Sequence, residues 1–244
     1  AKNVALTVEQ KVAQFNDNFV TSALPQITKS YAMGDYARFF ALIYEVGKCS
    51  FYLLFVLSLP VFLEAEYLLS LWLVEVPPQA VVFLRFIMIG ALLRSPMRPM
   101  VTAVHATGDV RFLNLTSGLL AVSTILPGVY LLFSYGCVAW TYFLVTLPIG
   151  LICSVFEAYS LKRKVDYSLK HYFAHVHGVL LLIAIVSSWP AVLLRLSMES
   201  GLARLCLVGL ISVFSASVCI WFFGLSADVK KQILSKVKRA VGAV

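Results

Sequence analysis

Long uninterrupted apolar runs constrain this chain more than any other feature. FYLLFVLSLPVFL at residues 51–63 is one of several, and between them the sequence offers only short polar connections. A stretch of about 20 apolar residues spans a bilayer core, so runs of this kind, repeated, specify a polytopic membrane protein. The composition agrees: 60% of the 244 residues are hydrophobic and 13% are charged, too little polar surface to clothe a water-soluble globule. In hydrocarbon every backbone polar group must be satisfied internally, and the runs are too unbroken for the alternating strands of a barrel. The expected fold class is therefore all-α, a transmembrane helix bundle.

Seven segments fit that description, at about 4–24, 39–63, 80–106, 112–133, 138–160, 173–194 and 202–225. The first is amphipathic and carries Asn16, Asp17 and Asn18, so it can span only if that face is sheltered inside the bundle. The third is interrupted by RSPMRPM. Beyond Ser226, the sequence DVKKQILSKVKRAV alternates Lys230, Lys231, Lys236, Lys238 and Arg239 with Val229, Ile233, Leu234 and Val237, the pattern of a basic amphipathic helix on a membrane surface. Three units result: a lobe over 1–160, a terminal helix pair over 161–225 and a basic tail over 226–244.

The formal net charge of +8 does not point to nucleic acid, because the basic residues sit at the ends of apolar runs and suit anionic lipid headgroups instead. Their distribution sets an orientation. Lys29, Arg38, Arg111, Lys162, Arg163, Lys164, Lys170 and the tail cations fall in connections on one side. The opposite side holds Glu64, Glu66 and Glu75, then Arg195 and Arg204 against Glu199. Cytoplasmic loops retain Lys and Arg, which predicts a cytoplasmic C-terminus. Seven crossings then put the N-terminus outside with no secretion signal visible, and that parity predicts an odd number of spans upstream of a truncated chain. The five cysteines are scattered with no CxxC pair and read as small apolar filler.

Four stretches carry a resemblance. Pro25-Gln26-Ile27-Thr28-Lys29-Ser30-Tyr31-Ala32-Met33-Gly34-Asp35, Val56-Leu57-Ser58-Leu59-Pro60-Val61-Phe62-Leu63-Glu64, Leu71-Trp72-Leu73 and the stretch from Met100 to Asp109 resemble the flippases that translocate undecaprenyl-pyrophosphate-linked oligosaccharides. These belong to the superfamily that also contains multidrug exporters and lipid II flippases. The resemblance covers roughly 15–111. It implies fourteen helices in two pseudo-symmetric lobes plus a terminal pair, with this chain as the eighth to fourteenth and inactive alone. It also implies a bacterial inner-membrane location, a lipid-linked oligosaccharide as partner, and neither cofactor nor enzymatic conversion.

Arg94 and Arg98 are the sharpest chemistry. Four residues apart, they share a helical face, and Pro96 and Pro99 weaken the backbone ladder beside them. An intramembrane guanidinium costs several kcal/mol unless it borders a wet cavity, a counter-ion or a ligand. One reading is a cationic cavity that grips pyrophosphate by paired hydrogen bonds. The others are a structural pair with a carboxylate such as Asp17, or snorkelling to the interface. Asn16 and Asn18 are candidates to bind sugar hydroxyls, Asp17 to exchange a coupling proton or Na⁺, and Lys29 to meet the headgroup where Pro25 ends the first helix and Gly34-Asp35 turns the chain. His171, His175 and His177 have a tempting spacing but no completing ligand, and are expected to anchor at the interface. No Walker motif, nucleophile elbow or paired carboxylate suggests hydrolysis.

Overall fold

A computed structural model describes residues 2–136, 139–165, 168–226, 229–231 and 235. Every regular element among them is helical: α1 (Lys2–Ala32), α2 (Tyr36–Leu63), α3 (Ala65–Trp72), α4 (Ala80–Arg94), α5 (Arg98–Ala106), α6 (Arg111–Ser134), α7 (Tyr142–Lys162), α8 (Leu169–Tyr172), α9 (Gly178–Ser197) and α10 (Leu202–Cys219). A 3₁₀ turn at Ser95–Met97 joins α4 to α5, and π turns at Phe173–His177 and Ile220–Gly224 border α9 and α10. Among the described residues, six spans are long and apolar enough to cross a membrane: Tyr36–Leu63, Ala80–Ala106, Arg111–Ser134, Tyr142–Lys162, Phe173–Ser197 and Leu202–Gly224. The chain is a multi-pass membrane helix bundle.

The seventh expected span, α1, has the length at 31 residues but not the apolarity. It packs along α2, α4 and α5 through a narrow stripe, burying Ala5, Asn16, Val20, Ile27 and Ser30. The expectation that Pro25 ends this helix is corrected: α1 runs through it to Ala32. Pro25 deprives only the Thr21 carbonyl of a donor, and both residues are exposed, where water can replace it. Burial of Ile27 and Ser30 one turn further on holds the helical register. The turn that follows is as expected. Gly34 adopts φ +70°, and the Asp35 carboxylate accepts the Arg38 backbone N–H at 3.1 Å, capping α2.

The break at RSPMRPM is resolved in atomic terms. Pro96 cannot donate to the Leu92 carbonyl, and the Ser95 hydroxyl does so instead at 3.0 Å. Pro99 cannot donate to the Ser95 carbonyl, which takes the Arg98 backbone N–H and, at 3.1 Å, a share of the Ser50 hydroxyl that also points to Asn16. The Tyr172 hydroxyl donates to the Pro96 carbonyl at 2.6 Å. The three hydroxyl donors, Ser95, Ser50 and Tyr172, sit on buried residues, as backbone groups freed in a membrane interior require.

The sequence reading missed α3, a short helix placed among the acidic residues of a loop. It also missed what those acids do. Glu64, fully buried at the α2–α3 junction, accepts two hydrogen bonds from Arg204 on α10, at 2.9 and 3.2 Å, with Arg195 of α9 at 4.0 Å. Glu66 meets Arg85 at 3.2 Å and Arg195 at 3.9 Å. The terminal pair is thus ionically fastened to the lobe, so the boundary drawn at residue 160 is not a gap in packing. Within that pair, Ser187 and Ala191 face Val208, Ser212 and Ala216, all with no solvent exposure, and small side chains let the helices approach closely. Of the tail, Ser226 caps the N–H of Val229 at 3.4 Å and donates to Glu45 at 3.3 Å. The surface-helix residues Ile233, Leu234, Lys236, Val237, Lys238 and Arg239 lie outside the described residues.

Candidate functional site

A cavity of about 1150 Å³ lies between α1, the α4–α5 break and α7, with α2 and α6 touching its rim through Leu54 and Ile125. Each wall follows from helical spacing. α4 and α5 present Gly90, Arg94, Arg98 and Thr102 at intervals of four, and α7 presents Gly150, Ser154 and Glu157 on one face. α1 contributes Glu9, Gln10, Lys11, Gln14, Asn16, Asp17 and Thr21. The low apolarity of α1 has its explanation here: its polar face borders the cavity.

One end of this space is aromatic. Phe86 stacks on Phe143 at 5.2 Å and on Trp140 at 6.2 Å, while Phe83 and Tyr142 each meet Phe143 edge-on at 5.4 Å. One glycine draws the walls together, and a second marks where Arg94 reaches α7. A Cβ on Gly90 would stand 2.7 Å from Leu147 of α7, and one on Gly150 would lie 3.8 Å from Cδ of Arg94. Arg94 and Arg98 follow Gly90, and Glu157 follows Gly150, away from the aromatic end.

The two arginines have different partners. Arg98 forms a salt bridge with Asp17, both side chains about half exposed to the cavity. That is the structural pairing weighed from sequence, and of the two arginines it is Arg98 that makes it. Asp17 is thereby engaged. Arg94 makes no ion pair among the described residues; its Nε donates to the Gly90 carbonyl of its own helix at 3.3 Å, and the guanidinium faces the cavity. Glu9 and Glu157 are within electrostatic range of both arginines without forming a salt bridge.

Of the other sequence candidates, Asn16 reaches the site, yet its Oδ1 accepts the Ser50 hydroxyl at 2.7 Å and the residue is buried, so it also ties α1 to α2. Asn18 does not: it is exposed and outside the cavity lining, because one residue on from Asp17 is a rotation of 100° about the helix. Lys29 is likewise exposed and outside the lining, about 18 Å along α1 from Asp17. The lining is not cationic in balance. Lys11, Arg94 and Arg98 are matched by Glu9, Asp17 and Glu157. Glu157 could have been found as a lone carboxylate inside an apolar span, the same signal that marked the arginines.

No protein-family model, curated protein or solved structure matches the chain. Chemical character must therefore be read from the residues. Among those described, no cluster of His, Cys, Asp and Glu could hold a metal. His177 packs on the Phe173 ring at 4.8 Å within the π turn, away from the cavity. Outside the spans, Lys164 pairs with Asp109, joining the connections that follow α5 and α7 at one end of the bundle. The Lys164 hydrogen bond, with the Arg111 backbone N–H, holds the Asp109 carboxyl below its ordinary range. Beside it the Arg163 guanidinium lies over the Phe112 ring at 4.3 Å.

Proposed function

We propose that this chain carries the polar headgroup of a lipid-linked oligosaccharide across the bacterial inner membrane while the polyprenyl tail stays in lipid. One observation carries the reading: a large cavity lined by charged side chains inside a bundle of apolar helices, faced by the Arg94 guanidinium, which makes no salt bridge among the described residues. Hydrocarbon tolerates such groups where they border a wet passage. The volume exceeds the usual range for drug-sized ligands, roughly 300–1,000 Å³, and suits a headgroup of several sugars. The resemblance of 25–35 and 56–64 to oligosaccharide flippases points the same way. In this reading Arg94 grips a phosphate oxygen pair, the polar face of α1 meets hydroxyls, and the helices rock to alternate access without covalent conversion. The shared end of Arg111, Lys162, Arg163 and Lys164 is the cytoplasmic one, and the C-terminus lies there.

A second reading is export of organic cations, favoured by Glu9 and Glu157 in the cavity wall. One binding experiment separates the two. The full chain in detergent micelles is titrated with an undecaprenyl-pyrophosphate oligosaccharide, with the same lipid lacking phosphate, and with a lipophilic cationic dye. The expected result is binding that requires pyrophosphate and weakens about tenfold or more in Arg94→Gln, the worth of a charge-assisted hydrogen bond. Equal binding of the phosphate-free lipid, or tight binding of the dye alone, contradicts it.

A further inference from the structure

Resting on the anion-binding reading above, the cavity also has the means to tie anion occupancy to a proton. Three helices bring its charges together. Asp17 and Arg98 satisfy one another across the α1–α5 contact. That leaves Arg94 on α4, Glu9 and Lys11 on α1 and Glu157 on α7 as charged groups of the lining with no salt bridge among the described residues, all facing the same space. The Arg94 side chain lies against α7 at Gly150, and Glu157 stands two turns further along that same face.

We infer that an anion bound at Arg94 is accompanied by a proton taken up on Glu157 or Glu9. The anion adds negative charge beside two carboxylates and cancels the guanidinium's attraction for them; both changes favour the neutral carboxyl. The balance is simple. A proton from bulk water bonds to a carboxylate oxygen as the anion arrives, and returns to water when the anion leaves. Linkage makes the effect mutual: whatever factor the anion adds to proton affinity, the proton adds to anion affinity. The remaining charged neighbours do not remove the effect. Facing the two carboxylates are Arg94 from α4, Arg98 from α5, Lys11 and Asp17 from α1, and Tyr142 and Cys153 from α7 itself. Glu45 and Lys48 on α2, Arg85 on α4, Arg111 on α6 and Lys170 on α8 stand outside the lining. The coupling has a direction: anion and proton enter the cavity together.

The test uses the full chain in detergent micelles with sulfate as the probe, since its charge stays fixed over the range studied. Calorimetric titration in two buffers of different ionisation heat counts protons, and a series from about pH 5 to about pH 8 brackets a carboxyl shifted by its neighbours. Expected is uptake approaching one proton per sulfate, with affinity falling by up to about tenfold per pH unit as pH rises. Glu9→Gln with Glu157→Gln is expected to bind sulfate with a flat pH profile, and its unfolding temperature checks that the fold survives. Sulfate binding by the native chain with no proton uptake and no pH dependence overturns the proton link and leaves the anion site standing. Failure of the native chain to bind sulfate at any pH overturns both.

Discussion

Gly47 shows how much of the bundle hangs on one missing methyl group. A Cβ there would stand 2.6 Å from the Tyr172 hydroxyl and 2.9 Å from the Pro96 carbonyl, closer than real Cβ atoms approach anything. The glycine lets α2 touch the broken helix and admits the tyrosine that satisfies it. Gly47→Ala is expected to destabilise by about 1–3 kcal/mol, the usual cost of overpacking. Tyr172→Phe leaves the Pro96 carbonyl without that donor and costs about 1–3 kcal/mol alone. In the double variant the alanine no longer meets a hydroxyl, so the losses add to less than their sum. Thermal unfolding in detergent reads all three; strict additivity would show that the contact does not exist. Arg94 and Arg98 make the same point about partners. Their depth and type could be read directly from RSPMRPM, whereas the choice of Arg98 by Asp17 depends on how α1 packs, and spacing along one helix carries no information about that.

At the scale of elements, what was legible followed periodicity and what was not followed tertiary contact. Six spans lie close to their expected places because a long apolar run has few alternatives in lipid. The 3₁₀ break at Ser95–Met97 was visible as two prolines. The continuation of α1 through Pro25 was not, since it depends on burial of Ile27 and Ser30. α3 was hidden because eight residues with two flanking glutamates look like a polar connection. Its junction holds Glu64, a carboxylate with no exposed surface between two arginines from the terminal pair. Breaking a buried ion pair by removing one partner costs about 3–5 kcal/mol. Glu64→Ala is therefore expected to loosen α9 and α10 from α2, raising hydrogen exchange in the α9–α10 connection while α4 and α7 stay protected. Uniform loss of protection throughout the bundle would mean that the terminal pair is not a separately fastened element.

For the whole molecule, the account depends on the cavity between α1, α4–α5 and α7 being wet while the surfaces of α6, α9 and α10 face lipid. The most direct measurement is thiol accessibility in intact membranes. In a cysteine-free background, single cysteines are placed at residues 150, 153, 154 and 157 on α7 and at exposed apolar positions 126 on α6 and 210 on α10, and treated with a charged, membrane-impermeant thiol reagent. The account predicts reaction at the α7 cavity positions, slowed by added sulfate near Arg94, and none at 126 or 210. Equal silence at both sets, or reaction confined to 126 and 210, would contradict it.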